Sequence, residues 1–245
     1  MISKPTCRQR GFTLLETVIA IGVLAVLLTG FMVVFAPAAD GIRKSINVQQ
    51  ADRMASALEQ ELVTLRKGQE SATIKTGFDK SFEWIENENG AKDALLVYQY
   101  RGRITGSLRN DNTPEPEPSV KDKLPGKGYV VVPMVRRRSD TADLAKDLEA
   151  VEGAVYLVKC TQLVFDTTSG GLKVGTAGKI IDPKGSTPYG SADGPPIYPE
   201  AVIAFSAEFH MLPAKTASYI SGDAFTKKFN SAKNPVFTRN LAVRR

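Results

Sequence analysis

A long apolar run near the N-terminus, from Phe12 to Ala39, constrains this chain more than any other feature. A short basic stub, residues 1–11, precedes the run, and Glu16 is the one charged residue within it. A helix needs roughly 20 apolar residues to cross a bilayer core of about 30 Å, so the run is long enough to span a membrane. A carboxylate inside such a span is costly unless it has a partner, which makes Glu16 a candidate functional residue.

Two simple interpretations of this segment leave something unexplained. A cleaved secretory signal has an apolar stretch of about 7–15 residues and a small-x-small cleavage site, whereas this run is longer and ends in the poor site Ala36-Pro37-Ala38-Ala39. An uncleaved single-pass anchor fits the length, and the basic residues before the span weakly favour a cytoplasmic N-terminus. Neither interpretation accounts for Glu16.

A third interpretation accounts for both the length and the charge. The stretch Gly11-Phe12-Thr13-Leu14-Leu15-Glu16 resembles the processing motif of type IV prepilins and type II secretion pseudopilins. The resemblance implies a leader of residues 1–11, cleavage after Gly11 by a membrane prepilin peptidase, and methylation of the new amine of Phe12. Glu16 then becomes the fifth mature residue, four residues and about 6 Å of helical rise from a new cation.

The resemblance also implies partners and a location. Glu16 is expected to pair with the Phe12 amine of a neighbouring pilin or pseudopilin subunit during assembly, since an opposite charge offsets desolvation of a carboxylate. The other expected partners are the prepilin peptidase and an inner-membrane assembly platform. The expected location is the bacterial inner membrane, single-pass, with a cytoplasmic N-terminus and a periplasmic globular domain, followed by a filament or the cell surface.

Beyond the span, the pattern predicts that the helix continues as an amphipathic one. Apolar residues recur mostly at three- or four-residue steps, and charged residues mostly fall between them. A basic residue and a glycine, Lys67-Gly68, are typical of a helix end. Pro37 is expected to kink or loosen the helix because it lacks an N–H. The apolar positions are Ile42, Ile46, Met54, Leu58, Leu62 and Leu65.

The rest of the chain predicts strands and loops. Residues 109–128 and 175–199 are rich in proline or glycine and are expected to be exposed loops. Residues 140–151 predict a short helix capped by Asp140, and Pro133 indicates an edge strand. The predicted strands cover residues 94–100, 103–108, 129–135, 154–160, 162–167, 172–174, 202–211 and 235–243.

Together these segments predict an α+β fold, a long N-terminal helix packed on an antiparallel sheet, as in pilins. The expected divisions are the leader 1–11, the transmembrane and assembly helix 12–39, its amphipathic continuation 40–67 and a strand-rich globular domain 68–245. The segments Val155–Phe165 and Tyr198–Val202 loosely resemble the larger, J-like minor pseudopilins that cap a filament.

The candidate catalytic and metal-binding residues are few. Cys160 and His210 form the one conceivable thiol–imidazole pair, but a buried structural cysteine and an ordinary histidine are the preferred interpretation. The carboxylates of the loop around Asp182 and Asp193 lack the spacing of a calcium loop. The chain is therefore expected to be no enzyme and to need no cofactor or metal.

Net charge gives little support to nucleic-acid binding. The chain carries +6, but three of its basic residues, Lys4, Arg8 and Arg10, belong to the leader. The run Arg136-Arg137-Arg138 is interpreted as a solvated strand end. The alternative is a pilus-associated subunit that binds DNA or a surface ligand through these arginines. A membrane-anchored enzyme is a third hypothesis, with less support from the sequence.

Overall fold

The computed structural model describes residues 13–87, 90–106, 108–119, 124–185, 188–189 and 194–245. The chain divides into two compact units, Met1–Asn47 and Val48–Arg245. One helix, α1 (Leu14–Val63), begins in the first unit and ends in the second.

In the first unit, α1 exposes its apolar side chains. The helix continues through Pro37, so the expected loosening does not interrupt it. A proline removes one hydrogen bond from the helical ladder, and the neighbouring bonds maintain the helix. Ile42 and Ile46, assigned by sequence to the amphipathic face, are 61% and 47% exposed.

In the second unit, one face of α1 is buried. Most of its core residues are three or four positions from the next one, as the amphipathic pattern predicts. The helix ends at Val63 and not at Lys67, and Gly68, with φ +90°, turns the chain in a conformation that other residues rarely adopt. The buried residues of this face are Ala51, Met54, Ala55, Leu58 and Leu62.

The second unit contains eight strands and five further helices among its described residues. The strands are β1 (Leu95–Gly102), β2 (Val130–Arg137), β3 (Val151–Asp166), β4 (Gly171–Val174), β5 (Ile180–Ile181), β6 (Pro188–Tyr189), β7 (Val202–Met211) and β8 (Phe237–Arg244). The helices are α2 (Gly77–Asn87), α3 (Thr141–Glu149), α4 (Gly194–Ile197), α5 (Ala217–Ser221) and α6 (Asp223–Ser231).

The main sheet has the order β2-β1-β3-β7-β8, with every neighbouring pair antiparallel and with β4 paired to the far end of β3. The predicted α+β class, a long helix and an antiparallel sheet, is confirmed. Pro133 lies in β2 at the edge of the described sheet, as predicted, where only β1 is a neighbouring strand among the described residues and a missing N–H is tolerated.

Other boundaries differ from the sequence prediction. The strand predicted over residues 103–108 is wrong: β1 ends at Gly102, and Gly106, with φ +132°, lies in the turn that follows. The two strands predicted on either side of Thr161 are one strand, β3, of 16 residues. Helices α2, α5 and α6 were not predicted, and neither were α4, β5 and β6, which lie in the segment 175–199 predicted to be a loop.

The sheet has a core on each face. Val97, Val158 and Phe205 belong to the core that also contains the buried face of α1 and the apolar side of α2. Leu96 and Leu157, from the alternate positions of their strands, belong to a second core with α3, α5 and α6. Within this unit the sheet is therefore covered by helices on both faces.

Helix α2 is attached to the end of α1 by buried polar groups. The fully buried Nζ of Lys80 lies 2.9 Å from Oε1 of Glu61, and Ser81 donates to the carbonyl of Leu62 at 2.8 Å. A Cβ on Gly77 would lie 2.2 Å from the carbonyl oxygen of Val63, so this close approach requires glycine.

Candidate functional site

The residues that the sequence assigns to processing and assembly are Gly11, Phe12 and Glu16. Gly11 and Phe12, the expected cleavage position, lie outside the described residues. Glu16 is in the first turn of the helix. Its placement beside Thr13 can therefore be described.

Thr13 and Glu16 form a reciprocal capping box. The backbone N–H and the hydroxyl of Thr13 donate to Oε2 of Glu16 at 2.9 and 3.0 Å, and the N–H of Glu16 donates to Oγ1 of Thr13 at 3.3 Å. The pairing satisfies N–H groups that a helix start leaves without carbonyl partners, and it places a carboxylate at the positive end of the helix dipole. Glu16 therefore fixes where the helix begins.

Sequence reasoning missed this role of Thr13, although a signal was present. A threonine followed three residues later by glutamate, directly before an apolar run, is the signature of a capping box. The carboxylate uses Oε2 for both bonds from Thr13. Among the residues that the structure describes, Oε1 of Glu16 has no hydrogen-bond partner, so the carboxylate can accept from a second group.

The helix that follows Glu16 has an apolar surface without cover inside its unit. Every large apolar side chain from Leu14 to Phe35 is more than half exposed. By length and composition this is the one helix among the described residues that could cross a membrane. An exposed apolar surface of this extent needs lipid or other apolar helices around it, since soluble monomers rarely expose patches beyond a few hundred Å².

The comparison with known families bears on this same segment. The model of the prokaryotic N-terminal methylation motif matches residues 6–32. The chain carries the N-terminal methylation motif of prepilins and pseudopilins. The match includes Gly11, Phe12 and Glu16 and supports a type IV pilin-like or pseudopilin subunit, anchored by a single membrane helix. No curated protein and no solved structure matches the chain.

The sheet separates the one conceivable catalytic pair. Cys160 is paired with Ala207 and packs in the core beneath α1 and α2, whereas His210 is paired with Leu157 on the opposite face. Burial lowers the pKa of His210, so the ring is neutral at pH 7. The interpretation of Cys160 as a buried structural cysteine is confirmed, and the two side chains form no nucleophile–base pair.

The interpretation of Arg136-Arg137-Arg138 as a solvated strand end is wrong. Arg136 is 6% exposed, and its guanidinium lies 2.8 Å from Asp147 and 2.9 Å from Asp111. Arg138 donates to the carbonyls of Ile220 and Ala91 at 2.6 and 3.1 Å. Helices α3 and α5 and the loops that carry Asp111 and Ala91 bring these partners in from other parts of the chain, which the local sequence does not reveal.

The half-buried Arg137 has internal partners as well. Its guanidinium lies 5.6 Å from the centre of the Trp84 ring and 3.5 Å from a carboxylate oxygen of Glu83, both on α2. All three arginines thus contact other parts of their own unit. They do not form a free cationic surface for phosphates.

A buried ion cluster surrounds Asp147 of α3. This fully buried carboxylate accepts from the hydroxyl of Tyr98 at 2.6 Å, from Nε of Arg136 at 2.8 Å and from Nη2 of Arg109. Burial, together with the negative charge of Asp147, holds the pKa of Tyr98 well above its ordinary value, so the phenol stays protonated and donates. The cluster fastens the loop that carries Arg109 to β1, β2 and α3.

Asp111 adds a second carboxylate to this cluster. Burial by itself would raise its pKa, but hydrogen bonds from Thr113 and the charge of Arg136 outweigh that effect and lower the pKa. Asp111 is therefore ionised at neutral pH, and the loop predicted to be exposed is held by buried charges at this point. The described residues include no group of three metal-ligating side chains that could hold a metal ion.

Proposed function

We propose that this chain is a minor pilin or pseudopilin, a structural subunit of a type IV pilus or of a type II secretion pseudopilus. A prepilin peptidase cuts it between Gly11 and Phe12 and methylates the amine of Phe12. The apolar part of α1 holds the subunit in the inner membrane, with the globular unit in the periplasm. An assembly platform then moves it into a filament.

One observation carries the proposal. The methylation motif over residues 6–32 coincides with the start of a helix whose apolar side chains are exposed from Leu14 to Phe35. A plain membrane anchor would need the apolar surface but not the motif or the carboxylate. A subunit that leaves the bilayer for a filament needs all three, because its helix exchanges lipid for the helices of other subunits.

We assign Glu16 two contacts in succession. Before assembly it caps its own helix through Thr13, using Oε2. In the filament, Oε1 accepts from the methylated amine of Phe12 of a neighbouring subunit, and this ion pair sets the register between subunits. The exposed position of Glu16 supports this assignment, because a second chain can reach it.

The first experiment is mass spectrometry of the N-terminus of protein extracted from its native cells. An N-methyl-Phe12 terminus is expected. An intact Met1, or a terminus near Ala39, would overturn the proposal.

The second experiment compares Glu16→Ala with Glu70→Ala, an exposed glutamate outside the apolar run. Both variants should be cut after Gly11, and only Glu16→Ala should be missing from sheared filaments or from pseudopili. Normal incorporation of Glu16→Ala would remove the role assigned to its charge.

The alternative, a subunit that binds DNA or a surface ligand through Arg136-Arg137-Arg138, has no observation in its favour. These arginines contact Asp147, Trp84 and backbone carbonyls inside the unit. Salt-sensitive DNA binding by the full chain at low salt would revive this alternative.

A further inference from the structure

A cavity in the globular unit is lined by residues that have no part in the proposed function. It has a volume of about 420 Å³ and lies between α3 and α5. Its apolar lining comes from Leu144, Ala145, Leu148, Ala217 and Ile220. Leu144, Leu148 and Ile220 are at most 7% exposed, so they form a buried floor.

The polar part of the lining is cationic. Lys92 and Arg138 contribute the charges, and Ser139, Thr141 and Ser221 contribute hydroxyls. The described residues of the lining include no acidic one. Two carboxylates at the start of α3 have partners other than Lys92 and Arg138: Asp140, the N-cap, accepts from the N–H of Arg137, and Asp143 lies within 4.0 Å of Arg109 and Arg136.

The two cations differ in their contacts, because Arg138 is held by backbone carbonyls whereas Lys92 is exposed, and together they suit an anion. Nε of Arg138 is fixed by the carbonyl of Ile220, and its guanidinium lies 4.8 Å from the centre of the Phe225 ring. Among the described residues, no carboxylate lies within ion-pair distance of Arg138 or of the exposed Lys92. An anionic group at the rim would therefore meet two positive charges that have no counter-ion in the part of the unit that the structure describes.

We propose that this cavity binds a small amphipathic anion, a single aliphatic chain that ends in a carboxylate. The chain lies on Leu144, Leu148 and Ile220, where it is removed from water, and the carboxylate accepts from Lys92 and from the hydroxyls of Ser139 and Thr141. The volume falls within the roughly 300–1,000 Å³ of small-molecule sites. Apolar burial supplies affinity, and the cations select a carboxylate over a neutral alcohol.

The test uses the full chain in nanodiscs of a zwitterionic lipid. A decanoate that carries a photoreactive diazirine on its chain is irradiated with the protein, and the labelled peptides are mapped by mass spectrometry. Label is expected on the peptides of α3 and α5. Free decanoate should suppress it, whereas decanol, which lacks the charge, and acetate, which lacks the chain, should not.

Three variants make the test specific. Lys92→Glu should reduce the labelling of α3 and α5 about tenfold or more, as the loss of a charge-assisted hydrogen bond implies. Ala145→Phe, which fills the cavity, should reduce it similarly. Lys146→Glu, an equal charge change on α3 at a position that does not line the cavity, should leave it unchanged.

Three results would overturn the proposal. Suppression by decanol as strong as by decanoate would show that no anion is recognised. Equal labelling of Lys92→Glu and Lys146→Glu, or label confined to the apolar part of α1, would show partition of the probe into lipid and no site. Thermal unfolding midpoints of the variants, compared with the unaltered chain, separate loss of the site from loss of the fold.

Discussion

Asp147→Asn is expected to lower the stability of the globular unit by several kcal/mol, about 3–5 for a broken buried ion pair. The carboxylate is fully buried and accepts from Tyr98, Arg109 and Arg136. Asparagine keeps the shape and one acceptor oxygen, but it removes the charge that faces two largely buried guanidinium groups. The amide nitrogen of asparagine, which replaces the second oxygen, would place its own N–H groups against an N–H or O–H donor of these partners.

The magnitude follows from the burial of the partners. Removal of one member of a buried ion pair costs about 3–5 kcal/mol, because it leaves the other charge uncompensated. Asp111 still lies 2.9 Å from Arg136, so we expect the lower end, about 3 kcal/mol. Asp143→Asn is the matched control: its side chain is 42% exposed and 3.7 Å from Arg136, so it should cost less than about 1 kcal/mol.

The assay is urea unfolding of the full chain in micelles, followed by fluorescence. Trp84 is the one tryptophan of the chain and is buried in the globular unit, so its emission reports that unit. A double-mutant cycle of Asp147→Asn with Arg136→Met should give a coupling energy of about 1–3 kcal/mol. Equal, small losses for Asp147→Asn and Asp143→Asn would refute the reasoning that the cluster fastens the Arg109 loop.

Three further predictions concern Glu16, His210 and Lys80. Glu16→Gln keeps a side chain that can act in the capping box but lacks the charge, so it should be processed normally and excluded from filaments. Thr13→Ala keeps the charge of Glu16 and should be incorporated. Blots of sheared filaments measure both outcomes. Burial lowers the pKa of His210 in the folded protein below its ordinary 6.5. The contribution of the neutral ring to the free energy of unfolding is therefore fully present above pH 6.5 and is lost as the pH falls through the folded-state pKa. His210→Gln should make this loss smaller, as urea midpoints measured between about pH 7 and 5 would show. Lys80→Met should cost about 3 kcal/mol in urea unfolding, because it removes one of the two cations paired with the buried carboxylate of Glu61 and leaves Arg66 as the other. Lys75→Met, at an exposed position, should cost less than about 0.5 kcal/mol.

Each of these predictions has a contradicting result. Incorporation of Glu16→Gln at the normal level would show that capping, and not charge, is the function of the carboxylate. An unchanged slope of stability against pH in His210→Gln would show that other groups cause the acid effect. Equal losses for Lys80→Met and Lys75→Met would show that the buried contact between α1 and α2 contributes little.

The secondary structure was predictable where the determinants were local. Alternating and β-branched residues identified β7 with both ends correct, and Pro133 identified an edge strand. The helix start was equally readable from Thr13 and Glu16, although the capping box was overlooked. Helix α2 was missed because its apolar residues Phe78, Phe82 and Ile85 stand among charged residues in a short segment.

The contacts of the three arginines and the cavity beside α3 were not predictable in the same way. Arg136, Arg137 and Arg138 read as a charged run because adjacent residues give no sign of Asp147 or of the carbonyl of Ile220, which approach only after the sheet forms. The same holds for the cavity, whose cationic rim combines Lys92 with Arg138. Residues far apart in sequence meet there because β1, β2 and α3 pack on one another.

The sequence by itself determined the membrane helix, the position of Glu16 four residues after Phe12 and the methylation motif, since these depend on neighbours within one helical turn and on the thickness of a bilayer. The tertiary structure alone decided which charges are buried and which are free. Long-range packing determines which partner each charged group contacts, and burial determines how much stability is lost when that partner is removed. That is why Glu16 could be recognised in the chain as written, whereas Asp147 could be recognised only in the fold.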